Sequence, residues 1–242
     1  MIVELVGPPG SGKTAVAQAL IERLRSVGVD IVGFDELEDY RTRLGDRWLN
    51  RSNAGRRWRL LAPLRHQFPR LNAILIRLVF EHRALTRKRW RKARRPLTHW
   101  WMARELDRAF PDRLIVLDDG FVQKVWSLLM GPSTLRGLPL VRALFDAYYR
   151  DTRVRCIRLD VSDATAFART FDRDSNGRFH RGTSVRLRQH TARWISLHGA
   201  LSGLIPAEHH LAVVDANQPL ADVVSDLAKT LLDALEGQRS SA

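Results

Sequence analysis

Cysteine is nearly absent: Cys156 is the one thiol in 242 residues. An internal disulfide framework and a thiolate zinc cluster are both excluded. Long apolar runs are missing too. A membrane-spanning helix needs about 18 or more uninterrupted apolar residues, and the best stretch, 72–80, is broken by Arg77. No basic segment precedes the first apolar residues, so no secretory leader is expected, and the cytoplasm is the expected compartment. Hydrophobic residues at 45% and charged residues at 27% are ordinary globular values, which excludes a disordered chain. Acidic residues are scarce in one region. Between Arg41 and Arg113, 21 Lys and Arg face 5 Asp and Glu, a local net of +16, while the remainder carries −2. Five of the seven tryptophans (Trp48, Trp58, Trp90, Trp100 and Trp101) sit in that same stretch. Such asymmetry points toward a polyanion, a phosphate group or an anionic membrane surface.

What is present reads as alternating strands and helices. Residues 2–7, IVELVG, form a short apolar run ending in glycine, as a buried strand should. Residues 13–27 follow as a helix, with Val16, Leu20 and Leu24 at four-residue spacing and Gly28 as the stop. Further strands are predicted at Val29–Phe34, Leu114–Leu117, Val154–Leu159 and Leu211–Val214. Helical segments separate all five, the signature of a parallel sheet covered on both faces. The expectation is a three-layer α/β/α domain over 1–242, with no internal repeat. Its largest insertion, about 41–113 between strands two and three, is mostly helical, and Pro63, Pro69 and Pro96 are expected to cut it into several helices.

The decisive motif is Gly7-Pro8-Pro9-Gly10-Ser11-Gly12-Lys13-Thr14, a full match to G-x-x-x-x-G-K-[ST] between a strand and a helix. Glycines let successive backbone N–H groups turn inward toward phosphate oxygens, and the helix N-terminus adds its positive dipole end. Lys13 is expected on the β- and γ-phosphates of ATP, and Thr14 as a hydroxyl ligand of Mg²⁺. Strand three ends Leu117-Asp118-Asp119-Gly120-Phe121. Carboxylates there face the ligand side of an open parallel sheet and could hold Mg²⁺. Asp-Asp-Gly is also good turn chemistry, and the period does not choose between Asp118 and Asp119, because the strand ends there.

Strand two runs into Phe34-Asp35-Glu36, with Glu38 and Asp39 close behind. A carboxylate beside an acceptor hydroxyl can orient it and take its proton, and Asp35 is best placed for that. An acidic helix N-terminus is the plainer reading of Glu36, Glu38 and Asp39. After strand four, Arg169 and Arg173 are four apart and share a helix face. Arg178 and Arg181 follow in a polar, glycine-containing loop, so 163–183 reads as a lid. Its guanidinium groups would meet the nucleotide phosphates and the transferring phosphoryl group, Arg178 among the nucleotide-binding residues. A solvated surface helix, with Asp172 and Asp174 as local partners, is the other reading.

Taken in order, the phosphate loop, the DDGF strand end, the Arg169/Arg173 helix and the late VVDANQP segment resemble P-loop kinases. The branch they are most similar to is thymidylate kinase and its nucleotide and nucleoside kinase relatives. That resemblance implies ATP, Mg²⁺ and phosphoryl transfer, and it places Asn217 in a loop near the nucleobase. Asp119-Gly120-Phe121 also resembles the aspartate-glycine-phenylalanine of adenylate kinases. No Asp-Arg-Tyr ends strand three, since Gly120 stands in the arginine's place, and no Arg-Glu-Pro-Gly follows strand two.

His209-His210 reads as a loop or strand edge, Cys156 as a small core residue, and Leu71, Ile74, Leu75, Leu78 and Val79 as a helical core stripe. The run Arg87-Lys88-Arg89-Trp90-Arg91-Lys92-Ala93-Arg94-Arg95 is different, because self-repulsion makes it costly as a mere solvated face. Three functions suit these residues. One is a kinase whose basic insertion grips an anionic or phosphorylated small-molecule, nucleotide or glycan-like acceptor. Another is a nucleic-acid enzyme such as a polynucleotide end kinase. The third is a nucleotide-binding module with little transfer. Peripheral contact with an anionic membrane suits the same basic stretch.

Overall fold

The strand IVELV is unusual for a small sheet in having all five residues buried, as a central parallel strand requires. The computed structural model describes residues 1–49, 73–74, 77, 87–129, 138–173 and 184–240. In it β1 (Ile2–Val6) lies between β3 (Leu114–Leu117) and β4 (Val154–Asp160), with Ile2 opposite Ile115 on one side and Val154 on the other. β2 (Ile31–Val32) and β5 (His210–Asp215) complete a five-stranded parallel sheet in the order β2-β3-β1-β4-β5. Chain order therefore reverses at β1, and the space beyond its carboxyl end is where open α/β sheets bind ligands.

Alternation along the strands builds two cores. Val3, Leu5, Leu114 and Val116 face one side, under α1 (Lys13–Ser26) and α8 (Leu220–Ser240). Ile2, Val6, Ile115 and Leu117 face the other. That second side is covered by α3 (Arg87–Ala109), α4 (Phe121–Leu129), α5 (Leu138–Asp151) and α7 (Ser184–Ser202), with Leu37 of α2 (Phe34–Leu49) at its margin. A further helix, α6 (Asp163–Arg173), packs against α7. Among the described residues no helix is long and apolar enough to cross a membrane.

Two expectations are corrected here. Strand two is only Ile31–Val32, and Phe34 and Asp35 already belong to α2, whose Leu37 N–H bonds the Gly33 carbonyl at 2.9 Å. Arg25 lies over Gly33, so that a Cβ there would sit 2.2 Å from the guanidinium, and the glycine leaves room for that side chain. Pro96 does not end a helix, for α3 runs through it unbroken. A proline in a helix interior costs about 3 kcal/mol, but burying a large apolar side chain returns about 1.5–3 kcal/mol each. Leu97, Trp100 and Leu106 of this helix are all buried, and Lys92 Nζ ties it to the Ser127 carbonyl of α4 at 3.1 Å. Pro63 and Pro69 lie outside the described residues.

Candidate functional site

The loop after β1 folds as its glycines dictate. Gly10 and Gly12 take φ of 82° and 86°, the left-handed region that side chains resist. Space is as restrictive as torsion. A Cβ at Gly10 would fall 2.3 Å from the Ala166 carbonyl and 2.7 Å from Thr170 Oγ1, so α6 closes directly on the loop. One at Gly7 would meet Ser11 Oγ at 2.5 Å. Pro8 and Pro9 carry the chain over this turn, where the Ser11 N–H bonds the Pro8 carbonyl at 3.2 Å. Gly12 caps α1 without a side-chain hydrogen bond, and no acidic residue stands in the first turn. Its leading N–H groups and positive dipole end would thus suit an anion.

Lys13 folds back across the mouth of this loop. Its Nζ donates to the Gly7 carbonyl at 2.7 Å, the Pro8 carbonyl at 2.9 Å and Ser11 Oγ at 3.3 Å. These are neutral acceptors, and charge-assisted bonds to phosphate oxygens are roughly twice as strong. Beside it, Thr14 Oγ1 donates to Asp118 Oδ2 at 2.7 Å, across 104 residues of sequence. Asp119 turns away and pairs with Lys124. The structure thus brings Asp118, and not its neighbour, to the loop. A hydroxyl and a carboxylate side by side are hard oxygen donors, the set that suits Mg²⁺ when phosphate oxygens and water fill the rest. Among the described residues no group of three His, Cys, Asp or Glu forms a metal cluster of its own.

Arg169 joins the same region. Its Nη1 donates to the Ala216 carbonyl at 2.9 Å and lies 3.8 Å from where a Gly12 Cβ would be. It therefore bridges the phosphate loop and the turn after β5. Asn217 is held within that turn: its side chain accepts from the Ser162 N–H at 3.0 Å and donates to Asp215 at 2.6 Å. Arg173 ends α6, and Arg178 lies outside the described residues, as does Arg181. Asp35 is exposed on the first turn of α2 and makes no hydrogen bond to the loop among the described residues. Its neighbour Glu36 is committed elsewhere. It is bound by Arg113, which holds its carboxyl below the ordinary range and also binds Asp30 at 2.7 Å.

The fold is an α/β phosphate-loop fold. No protein-family model and no curated protein matches the chain. Among solved structures it is similar to a gluconokinase from Sinorhizobium meliloti 1021, at 17% identity. That similarity covers 99% of this chain and 96% of that one, with a TM-score of 0.41. An identity and score that low assign no substrate.

Three residues of this region escaped the sequence reading. Glu4, in the middle of β1, is fully buried. Its signal was legible: a lone acid in a strand with both faces covered is anomalous unless paired. Thr170 is buried beside Gly10, with no partner for Oγ1 among the described residues. His198, buried in α7, has its pKa lowered to about 3, first by burial and then by the charge of Lys13. Nothing in the sequence spacing of these last two marks them.

Proposed function

We propose that this protein is an ATP-dependent phosphotransferase acting on a small-molecule, nucleotide or glycan-like acceptor. The observation that supports it best is the Thr14–Asp118 contact of 2.7 Å at the reversal point of the sheet, beside a lysine held at the mouth of a glycine loop. In this reading the loop N–H groups and Lys13 bind the β- and γ-phosphates of ATP. Thr14 and Asp118 hold Mg²⁺, which when bound neutralises charge developing on the phosphates. Arg169 and Arg173, with Arg178 from the lid loop, stabilise the transferring group and exclude water. Asp35 orients the acceptor hydroxyl and takes its proton. Asn217 shapes the turn toward the nucleobase.

The thymidylate kinase-like assignment is the finer reading, carried by the DDGF strand end, the α6 arginines and the VVDANQP turn. Where that branch has an arginine, this chain has Gly120, and a Cβ there would stand 2.3 Å from Glu4 Oε2. No side chain fits, so an anionic acceptor must be gripped from elsewhere, and the basic insertion is the candidate. Incubation with γ-labelled ATP, Mg²⁺ and a panel of nucleosides, nucleotides, sugars, lipid-linked saccharides and oligonucleotides tests this. Label on a small acceptor supports the proposal. Label on oligonucleotide ends makes the protein an end kinase, and ATP binding without transfer to any acceptor makes it a binding module.

A further inference from the structure

Glu4 has no place in the reading above, yet among the described residues it is the one buried carboxyl. It is fully buried in the central strand, with no solvent to stabilise a charge or a polar group. Three donors surround it. Tyr148 Oη donates to Oε1 at 2.6 Å, His99 Nε2 meets the same oxygen at 2.7 Å, and the Phe121 backbone N–H donates to Oε2 at 2.9 Å. Among the described residues the buried His99 Nδ1 has no partner, so the tautomer carrying its proton on Nε2 leaves only a lone pair unsatisfied and makes the ring a third donor. The surroundings are aromatic. Phe121 stacks on Tyr148 at 3.9 Å and 6°, and Trp100 meets both rings edge-on.

The important contact is the one to Phe121. Glu4 is opposite Leu117 in the β1–β3 register, and Phe121 begins α4. Between them lies the turn Asp118-Asp119-Gly120. Glu4 grips that turn at its far end through the Phe121 N–H. It also packs so close under Gly120 that a Cβ there would lie 2.3 Å from Oε2 and 2.9 Å from the Glu4 Cβ. The near end is fixed by the sheet. The carboxylate that reaches Thr14 therefore leaves a turn clamped at both ends, and one clamp is a side chain three residues ahead of the phosphate loop.

We infer that Glu4 is a positioning residue that sets Asp118 against Thr14, with Tyr148 and His99 fixing its carboxylate in turn. This inference rests on the reading of Thr14 and Asp118 as the Mg²⁺ site. Outer partners that orient ligands typically contribute 10–100-fold to metal affinity. Glu4 is fully buried, its hydrogen bonds going to His99, Tyr148 and the Phe121 N–H, so the inference predicts an effect specific to the metal.

Calorimetric titration of the full chain with ADP, once with Mg²⁺ and once with the metal chelated, separates the outcomes. Glu4→Gln, which cannot accept from all three donors, should weaken MgADP about tenfold while leaving metal-free ADP unchanged. Added to Asp118→Asn, it should cause little further loss, because both act through one carboxylate. Tyr148→Phe, which keeps the stack on Phe121, should shift the ratio in the same direction by less, and it carries the test if Glu4→Gln does not fold. Equal weakening of ADP with and without Mg²⁺ would mean a merely structural role and overturn the inference. So would an unchanged ratio in Glu4→Gln when Asp118→Asn loses it. If Asp118→Asn itself keeps the ratio, the metal reading fails first.

Discussion

At the level of single residues the acidic pair after β3 shows how contacts divide two identical side chains. Asp118 meets Thr14, and Asp119 meets Lys124. Asp118→Asn should therefore remove most of the Mg²⁺ dependence of nucleotide binding, whereas Asp119→Asn should stay near wild type in the same titration. A reversed order would return the metal role to Asp119. Asp35 gives a different signature. If it serves the acceptor, Asp35→Asn should lower kcat by about 10²–10⁴-fold with ATP affinity intact, and normal turnover would remove it from the site. The phosphate loop itself was readable in advance, because its chemistry fixes glycine, lysine and threonine at set spacing. The choice between Asp118 and Asp119 was not, since it depends on a partner 104 residues away. Glu4 was half-legible: the anomaly shows in the strand, but its donors Tyr148 and His99 lie 144 and 95 residues off.

Elements follow local pattern where nothing crowds them and depart from it where packing does. β1, β3 and the start of α8 stand where apolar runs and turn residues put them. β2 is short because the chain turns into α2 at Gly33, and α3 continues through Pro96 because its buried face outweighs one missing hydrogen bond. That same helix begins in the basic run, with Arg95 exposed, and ends in the core with Trp100 and Leu106. If its first half captures an anionic acceptor, Arg94→Ser with Arg95→Ser should raise the acceptor KM and leave ATP affinity constant. The difference should shrink at high salt, since screening at physiological strength already acts over about 8 Å. Binding of random oligonucleotides with a steep salt dependence would instead indicate nucleic acid. Sedimentation with anionic vesicles would indicate a membrane surface.

Across the whole molecule, two cores flank one sheet, and burial within them sets protonation as well as packing. Burial, with the charge of Lys13 adding to it, keeps His198 neutral, its pKa lowered from 6.5 to about 3. Because the unfolded chain takes up that proton first, the stability linked to His198 is complete above pH 6.5 and declines as pH falls toward 3. The melting temperature of wild type should then drop more steeply below pH 6.5 than that of His198→Gln, and parallel curves would contradict it. Glu36, lowered by Arg113, adds an acid-side loss that begins only near its ordinary value of 4.5. The phosphate loop remains the centre of the account, and calorimetry with MgATP tests it most directly. Wild type should bind, and Lys13→Ala should lose most of that affinity, if the cation now on the Gly7 and Pro8 carbonyls is the one that meets the phosphates, as proposed. Unchanged MgATP affinity in Lys13→Ala would contradict the account.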